Sequence, residues 1–202
     1  FKFWKCQREA IESLIYVYEV CSYDSLYSLS QGFNINIPFN PTRDHWPRYC
    51  FRMATGSGKT FVMALALTWQ YFNSLYEKES DIGYSRHFLL IAPNLIVLDR
   101  LSDFEDSQLF HEWPFFIPPE WENDFDLQVV MQTEDVPAHS RGVLHITNVQ
   151  QFYERGEDEE DNPIQELLGN RPASGEEFKS RATLYDILGR YDDLMIMNDE
   201  AH

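Results

Sequence analysis

The stretch Thr55-Gly56-Ser57-Gly58-Lys59-Thr60 constrains the fold of this 202-residue chain more than any other feature. It follows the short apolar run Tyr49-Cys50-Phe51, which we interpret as a strand, and it precedes a helical pattern that starts at Phe61. A glycine-rich turn between a strand and a helix is the setting in which backbone N–H groups hold phosphate oxygens. Glycine suits such a turn because it has no Cβ to keep an anion away. The pattern therefore predicts a nucleoside triphosphate site.

Each part of this loop has an expected task. The N–H groups of Gly58, Lys59 and Thr60 would point at phosphate oxygens at the positive end of the following helix. The Lys59 amine would reach the β- and γ-phosphates as the catalytic cation, and the Thr60 hydroxyl would hold Mg²⁺. Met53 stands where the pattern G-x-x-x-x-G-K-[ST] has its first glycine, so the match is incomplete. The nucleotide-binding candidates in the loop are Thr55, Gly56, Ser57, Gly58, Lys59 and Thr60.

The end of the chain supplies two adjacent carboxylates after an apolar run. Residues 194–198 read as a strand, and Asp199 and Glu200 follow it directly. The carboxyl ends of parallel strands border the crevice in which α/β folds bind ligands. Asp199 would hold the Mg²⁺ opposite Thr60, and Glu200 would orient and polarise the water that attacks the γ-phosphate. This pair predicts hydrolysis of the triphosphate.

The apolar periodicity along the chain predicts an alternation of helices and strands. Helices are expected from Trp4 to Val20 and from Lys59 to about Tyr76, with a long connection over 22–47. The remaining candidates are strands at 87–92, 127–131 and 143–147, and helices at 95–101, from 148, at 164–168 and at 182–188. The fold class is therefore α/β, with a mostly parallel sheet flanked by helices. Residues 102–126 and 154–180 read as acidic insertions.

The charge balance bears on possible partners. The formal net charge is −17, from 16 basic and 33 acidic residues, which is awkward for a protein that binds nucleic acid. Either the acidic residues lie away from a local basic path, or a basic surface lies outside this chain, or no polymer binds. Three widely spaced cysteines, Cys6, Cys21 and Cys50, are typical of reduced, mostly buried thiols in a cytoplasmic protein. No apolar run is long enough to cross a membrane.

The two carboxylates and the phosphate loop together carry a family resemblance. Met53–Thr60 with Asp199-Glu200-Ala201-His202 resembles superfamily 2 helicases and translocases that have a DEAH-type box and a RecA-like P-loop NTPase fold. Three further stretches resemble motifs in the same order: Phe3-Trp4-x-x-Gln7, Ala92-Pro93-Asn94 and Ile146–Gln151. Among subfamilies, the combination is most similar to the restriction (Res) subunit of type III restriction–modification enzymes.

The resemblance implies roles for residues outside the loop. Gln7 would read adenine, with Phe3 or Trp4 stacked beside it, although by itself Gln7 reads as a solvated first-turn residue next to core aromatics. His202 would couple the nucleotide state to a second domain or to nucleic acid. Four residues would lie along the nucleic-acid path, with ordinary loop and cap residues as the alternative: Pro93, Asn94, Thr147 and Asn148.

The resemblance also implies a domain and an activity. We expect residues 1–202 to be the first of two RecA-like domains, ending at the DEAH box of a longer protein. The activity would be ATP hydrolysis by a DNA-dependent translocase with ATP and Mg²⁺, in the restriction endonuclease subunit. Hydrolysis by this chain alone should be weak, because the arginine finger belongs to the second domain. Expected partners are double-stranded DNA and the modification (methyltransferase) subunit.

Two kinds of alternative stay open. Another superfamily 2 motor, such as a type I restriction motor or an RNA helicase, would share these motifs. A nucleotide-sensing interaction module without motor activity is a different class of protein. The complete set of Lys59, Asp199 and Glu200 argues against the sensor, because a sensor need not keep the carboxylate that activates water.

Overall fold

The computed structural model describes residues 2–23, 25–40, 47–93, 116–131, 140–148, 189 and 191–199. The chain divides into two compact units, Phe1–Ala66 and Leu67–His202, and the boundary falls inside one helix. Several predicted elements lie outside the described residues: the helices at 95–101, 164–168 and 182–188, and most of the two insertions. The helix expected from 148 lies outside them from residue 149 onward, and its expected first residue, Asn148, belongs to a strand instead. None of the helices in the described ranges is long and apolar enough to span a membrane.

The first unit is helical around the loop. Helix α1 spans Lys5–Ile15 and continues as one π-helical turn, Tyr16–Val20, which confirms the predicted first helix. Helix α2, Leu26–Gly32, lies inside the segment expected to be a plain connection. It forms because Ser25 and Ser28 cap each other: each backbone N–H donates to the other's hydroxyl at 3.1 Å. This reciprocal cap satisfies N–H groups that a helix start otherwise leaves free.

The strand predicted at Tyr49–Phe51 is wrong. Residues 47–54 have no regular structure and pair with no strand among the described residues. Cys50 and Phe51 are exposed rather than buried in a sheet, and because Cys6 is exposed as well, the expectation of mostly buried cysteines is also wrong. A strand exists only where a neighbour accepts and donates its backbone hydrogen bonds, and apolar character alone supplies no neighbour. The helix after the loop, α3, spans Lys59–Tyr76 as predicted.

The second unit is built on a four-stranded parallel sheet. Its strands are β1, His87–Ala92; β2, Leu127–Met131; β3, Gly142–Asn148; and β4, Leu194–Asn198. The order is β2-β3-β1-β4, and all three pairings are parallel. The inner strands β1 and β3 are buried almost throughout, which matches their continuous apolar sequences. All four strands were predicted, and the α/β fold class is confirmed.

The second half of α3 packs beside this sheet through Tyr71. The Tyr71 hydroxyl donates to the Asp124 carbonyl (3.0 Å) and accepts from the Asp126 N–H (2.9 Å). Its ring lies against Gly142 at the start of β3, where a Cβ would come within 2.7 Å of the ring. A short 3₁₀ helix, Pro119–Asp124, precedes these contacts within the predicted insertion. One buried tyrosine therefore joins the helix, the segment leading to β2 and the first residue of β3.

A cluster of titratable side chains lies at the amino edge of the sheet. His87 Nδ1 forms a short hydrogen bond with an Asp193 carboxylate oxygen, and the His87 ring stacks on Tyr191 at 4.0 Å. His145, in β3, is 1% exposed, and its Nε2 lies 3.5 Å from the Tyr191 hydroxyl. Burial, with a smaller contribution from the nearby His87, lowers the pKa of His145 from 6.5 to about 4. His145 is therefore neutral at neutral pH.

We predict that His145 makes stability depend on pH. The unfolded chain binds this proton with a pKa of 6.5 and the folded chain with a pKa of about 4. The contribution of His145 to the free energy of unfolding is therefore complete above pH 6.5. It is lost as the pH drops towards 4. The expected loss is on the order of 2 kcal/mol between about pH 7.5 and about pH 5. Urea denaturation of the wild type and of His145→Phe measures it. The His145→Phe variant should lose less stability over this range, and parallel losses would contradict the assignment.

Candidate functional site

The phosphate loop has the backbone that its glycines predict. Gly56 has φ +76° and Gly58 has φ +79°, a left-handed conformation that side chains with a Cβ rarely adopt. Between them, the Ser57 N–H and hydroxyl both donate to the Ala54 carbonyl, at 3.2 Å and 2.6 Å. These bonds fold the loop back on itself, and α3 begins immediately afterwards at Lys59.

The loop and the start of α3 present donors suited to an anion. The Phe61 and Val62 N–H groups donate to the Gly58 carbonyl at 3.1 Å and 3.4 Å. In the part of the chain that the structure describes, the N–H groups of Gly58, Lys59 and Thr60 donate no hydrogen bond. Three consecutive donors therefore remain available at the positive end of α3. This donor set fits the phosphates of a nucleotide.

Gln7 is buried against the loop rather than solvated. Its side chain is 4% exposed, its Nε2 donates to the Ser57 carbonyl (3.1 Å), and its Oε1 accepts from the Trp4 N–H (2.9 Å). A Cβ at Gly58 would collide with the Gln7 amide. Because an amide offers two N–H groups and two lone pairs, one of each is left for a base. The reading of adenine by Gln7 stays a prediction.

The aromatic residues before Gln7 are not fully buried in the core. Trp4 is 61% exposed and Phe3 is half-buried. An exposed indole at the start of α1 is available to stack on a ligand ring. The alternative of a solvated glutamine beside buried aromatics is therefore wrong on both counts. Stacking on a base is not tested and stays a prediction.

A cavity of about 410 Å³ lies in the first unit next to the loop. Its volume is within the range of small-molecule sites. Ala54 and Ser57 of the loop border it, so a ligand held by the loop could extend into it. The remaining lining residues come from one face of α1 and from the chain before the loop: Cys6, Glu9, Ala10, Ser13, Cys50, Phe51, Arg52 and Met53.

The carboxyl edge of the sheet gathers several of the other candidates. Asp199 follows β4 directly, is half-buried, and donates its N–H to the Ile91 carbonyl at 3.1 Å. The register pairs Ala92 with Asn148, so Pro93 follows β1 at the same edge. Thr147 and Asn148 are fully buried at the end of β3. Their place on a nucleic-acid path stays a prediction, and Asn94, Glu200 and His202 lie outside the described residues.

The whole sequence matches one known family. Residues 1–202 match the family described as type III restriction enzyme, res subunit. The chain belongs to this family. Membership makes it a helicase-like, ATP-binding motor domain, the first RecA-like domain of such a motor, as the resemblance implied. No curated protein and no solved structure matches the chain.

Sequence reasoning missed two features of this res-subunit site. The first is the bond from Gln7 to the Ser57 carbonyl, which joins residues 50 positions apart and has no sequence signal. The second is the face of α1 that lines the cavity. Cys6, Ala10 and Ser13 recur at helical spacing, so the periodicity of α1 could have indicated that face.

We predict that the two loop glycines differ in their tolerance of alanine. Gly56→Ala should cost about 1–2 kcal/mol for its positive φ alone, because no atom lies within 4 Å of the added Cβ. Gly58→Ala should cost more, because its Cβ also collides with the Gln7 amide. Urea denaturation of Gly58→Ala, with and without Gln7→Ala, measures the coupling. The paired change should cost less than the sum of the single changes, and strict additivity would contradict the contact.

Proposed function

We propose that this res-subunit domain binds Mg²⁺–ATP at the phosphate loop and hydrolyses it to drive a DNA-dependent translocase of a type III restriction system. The observation that carries the proposal is the pair of left-handed glycines leading into α3, where three consecutive N–H groups are available. Such an arrangement binds phosphates by backbone donors and helix dipole together. The family as a whole uses ATP and Mg²⁺.

The proposed roles follow the chemistry of phosphoryl transfer, which depends on positioning and charge. Lys59 contacts the β- and γ-phosphates, next to the donors of the loop. Thr60 and Asp199 hold the Mg²⁺, which when bound neutralises charge on the phosphates. Glu200 orients the attacking water, and His202 couples the nucleotide state to the rest of the motor.

The nucleoside half of ATP would extend from the loop towards α1. Gln7 contributes its remaining N–H and lone pair to the adenine edge, and Trp4 or Phe3 stacks on the ring. Since Gln7 is also bonded to the loop, base contact and loop position would be linked through one side chain.

The remaining parts of the proposal concern the larger protein. Residues 1–202 would form the first RecA-like domain, with insertions at 102–126 and 154–180, and a second RecA-like domain would complete the motor. Members of the family act on DNA with a methyltransferase partner. We propose the same partners here, with the DNA running past Pro93, Asn94, Thr147 and Asn148.

We predict that Lys59→Ala strongly weakens nucleotide binding. Loss of the cation should lower the affinity for Mg²⁺–ATP by about hundredfold, because charge-assisted hydrogen bonds to two phosphates are lost. Calorimetry measures the affinity, and Lys78→Ala, a change of an exposed lysine beyond the end of α3, is the matched control. In the full-length protein, duplex DNA should stimulate hydrolysis by the wild type and by Lys78→Ala but not by Lys59→Ala. Equal ATP affinity of the two variants would disprove the site.

We predict that Gln7→Ala weakens the binding of ATP more than the binding of GTP. Removal of the amide takes away the adenine contact and also loosens the loop, so all ligands lose affinity but ATP loses most. Binding of ATP, GTP and tripolyphosphate to this variant separates the two effects. Gln31→Ala, a change of an exposed glutamine in α2, should leave all three affinities unchanged. An equal loss for all three ligands would leave loop positioning as the whole role of Gln7.

A further inference from the structure

Two exposed aromatic rings lie side by side in the second unit. Tyr76, at the end of α3, is 46% exposed, and Trp121, in the 3₁₀ helix, is 41% exposed. Their ring centroids are 5.3 Å apart. Single exposed aromatics are ordinary on protein surfaces, but an adjacent pair forms a continuous apolar patch.

These rings are held in place by the residues beneath them. Phe72 is 3% exposed, lies 5.0 Å from Trp121, and is nearly parallel to Tyr76 at 6.1 Å. Phe125 lies 6.0 Å from Phe72. The Tyr76 hydroxyl donates to an Asp124 carboxylate oxygen at 2.7 Å. We call Phe72, Tyr76, Trp121 and Phe125 the aromatic platform. Because its rings are already ordered, a ligand on it costs little side-chain entropy.

The surroundings of the aromatic platform are acidic. Glu120 and Glu122 flank Trp121 in the 3₁₀ helix, and both are exposed. The segment 77–81, directly after α3, adds three carboxylates and one lysine. The Arg141 guanidinium contacts the Asp124 carboxylate at 3.3 Å, so one guanidinium already pairs with a carboxylate at the platform. The charge of the surface therefore favours cations.

We propose that the aromatic platform is a docking site for an arginine- or lysine-bearing segment of a partner protein. A guanidinium or ammonium group on the face of Trp121 or Tyr76 gains a cation–π contact, and Glu120 and Glu122 supply carboxylates beside it. Tryptophan, tyrosine and arginine are the residue types that dominate binding energy in protein interfaces. The carboxylates repel nucleic acid and anionic lipid, so a basic protein segment is the occupant that fits.

The test measures binding of a fluorescent, short oligo-arginine peptide to the full 202-residue chain by anisotropy. Because the chain carries a net charge of −17, the variants rather than binding itself are decisive. Trp121→Ala should lower the affinity for the peptide by about fivefold, and Glu122→Gln should lower it by about threefold. The matched controls are Tyr27→Ala, an exposed tyrosine in α2, and Asp192→Asn, an exposed carboxylate before β4, and both should bind like the wild type.

Three outcomes would overturn the proposal. Equal binding by all variants would show attraction to net charge alone. Equal binding of a neutral oligo-citrulline peptide would show that the positive charge of the peptide is not needed for binding. Self-association of the wild type that Trp121→Ala abolishes, measured by sedimentation, would make a second copy of this chain the occupant. If Trp121→Ala fails to show cooperative thermal unfolding, Glu122→Gln carries the test, because its exposed side chain can change without disturbing the rings beneath.

Discussion

The hydrogen bond from the Gln7 amide to the Ser57 carbonyl is the interaction on which the candidate site depends. A loop with two left-handed glycines has many alternative conformations, and each must be excluded for the donors to stay aligned. The buried amide does this from α1, because it lies over Gly58 where only a residue without a Cβ leaves room. A buried bond of this kind stabilises by about 1 kcal/mol and leaves a costly unpaired group if it is lost.

The parallel sheet positions Asp199, the proposed magnesium ligand in the second unit. Because β1, β3 and β4 run in the same direction, their carboxyl ends share one edge. The Asp199 N–H continues the ladder by bonding to the Ile91 carbonyl, which fixes its backbone just beyond β4. The buried apolar strands beneath make that edge a rigid support, as binding residues on a precise scaffold require.

The acidic net charge, which argued against a nucleic-acid partner, is concentrated in part in the carboxylates around the aromatic platform. Carboxylates there are exposed beside ordered rings, on the second unit, while the phosphate loop belongs to the first. An acidic net charge therefore does not exclude an anionic ligand, because the backbone N–H groups at the start of a helix attract phosphates locally. Net charge describes the sum of these surfaces, and the chemistry of each depends on its own residues.

The sequence by itself determined the elements that need no distant partner to be recognised. The four strands follow from continuous apolar runs, α3 from its helical period, and the loop from Gly56 and Gly58, since glycine alone adopts that backbone without strain. Tertiary structure decided the rest. Residues 49–51 form no strand because no neighbour pairs with them, Gln7 is buried because the loop folds over it, and Tyr76 meets Trp121 only through folding. Contacts between distant residues have no period in the sequence, so no local pattern can reveal them.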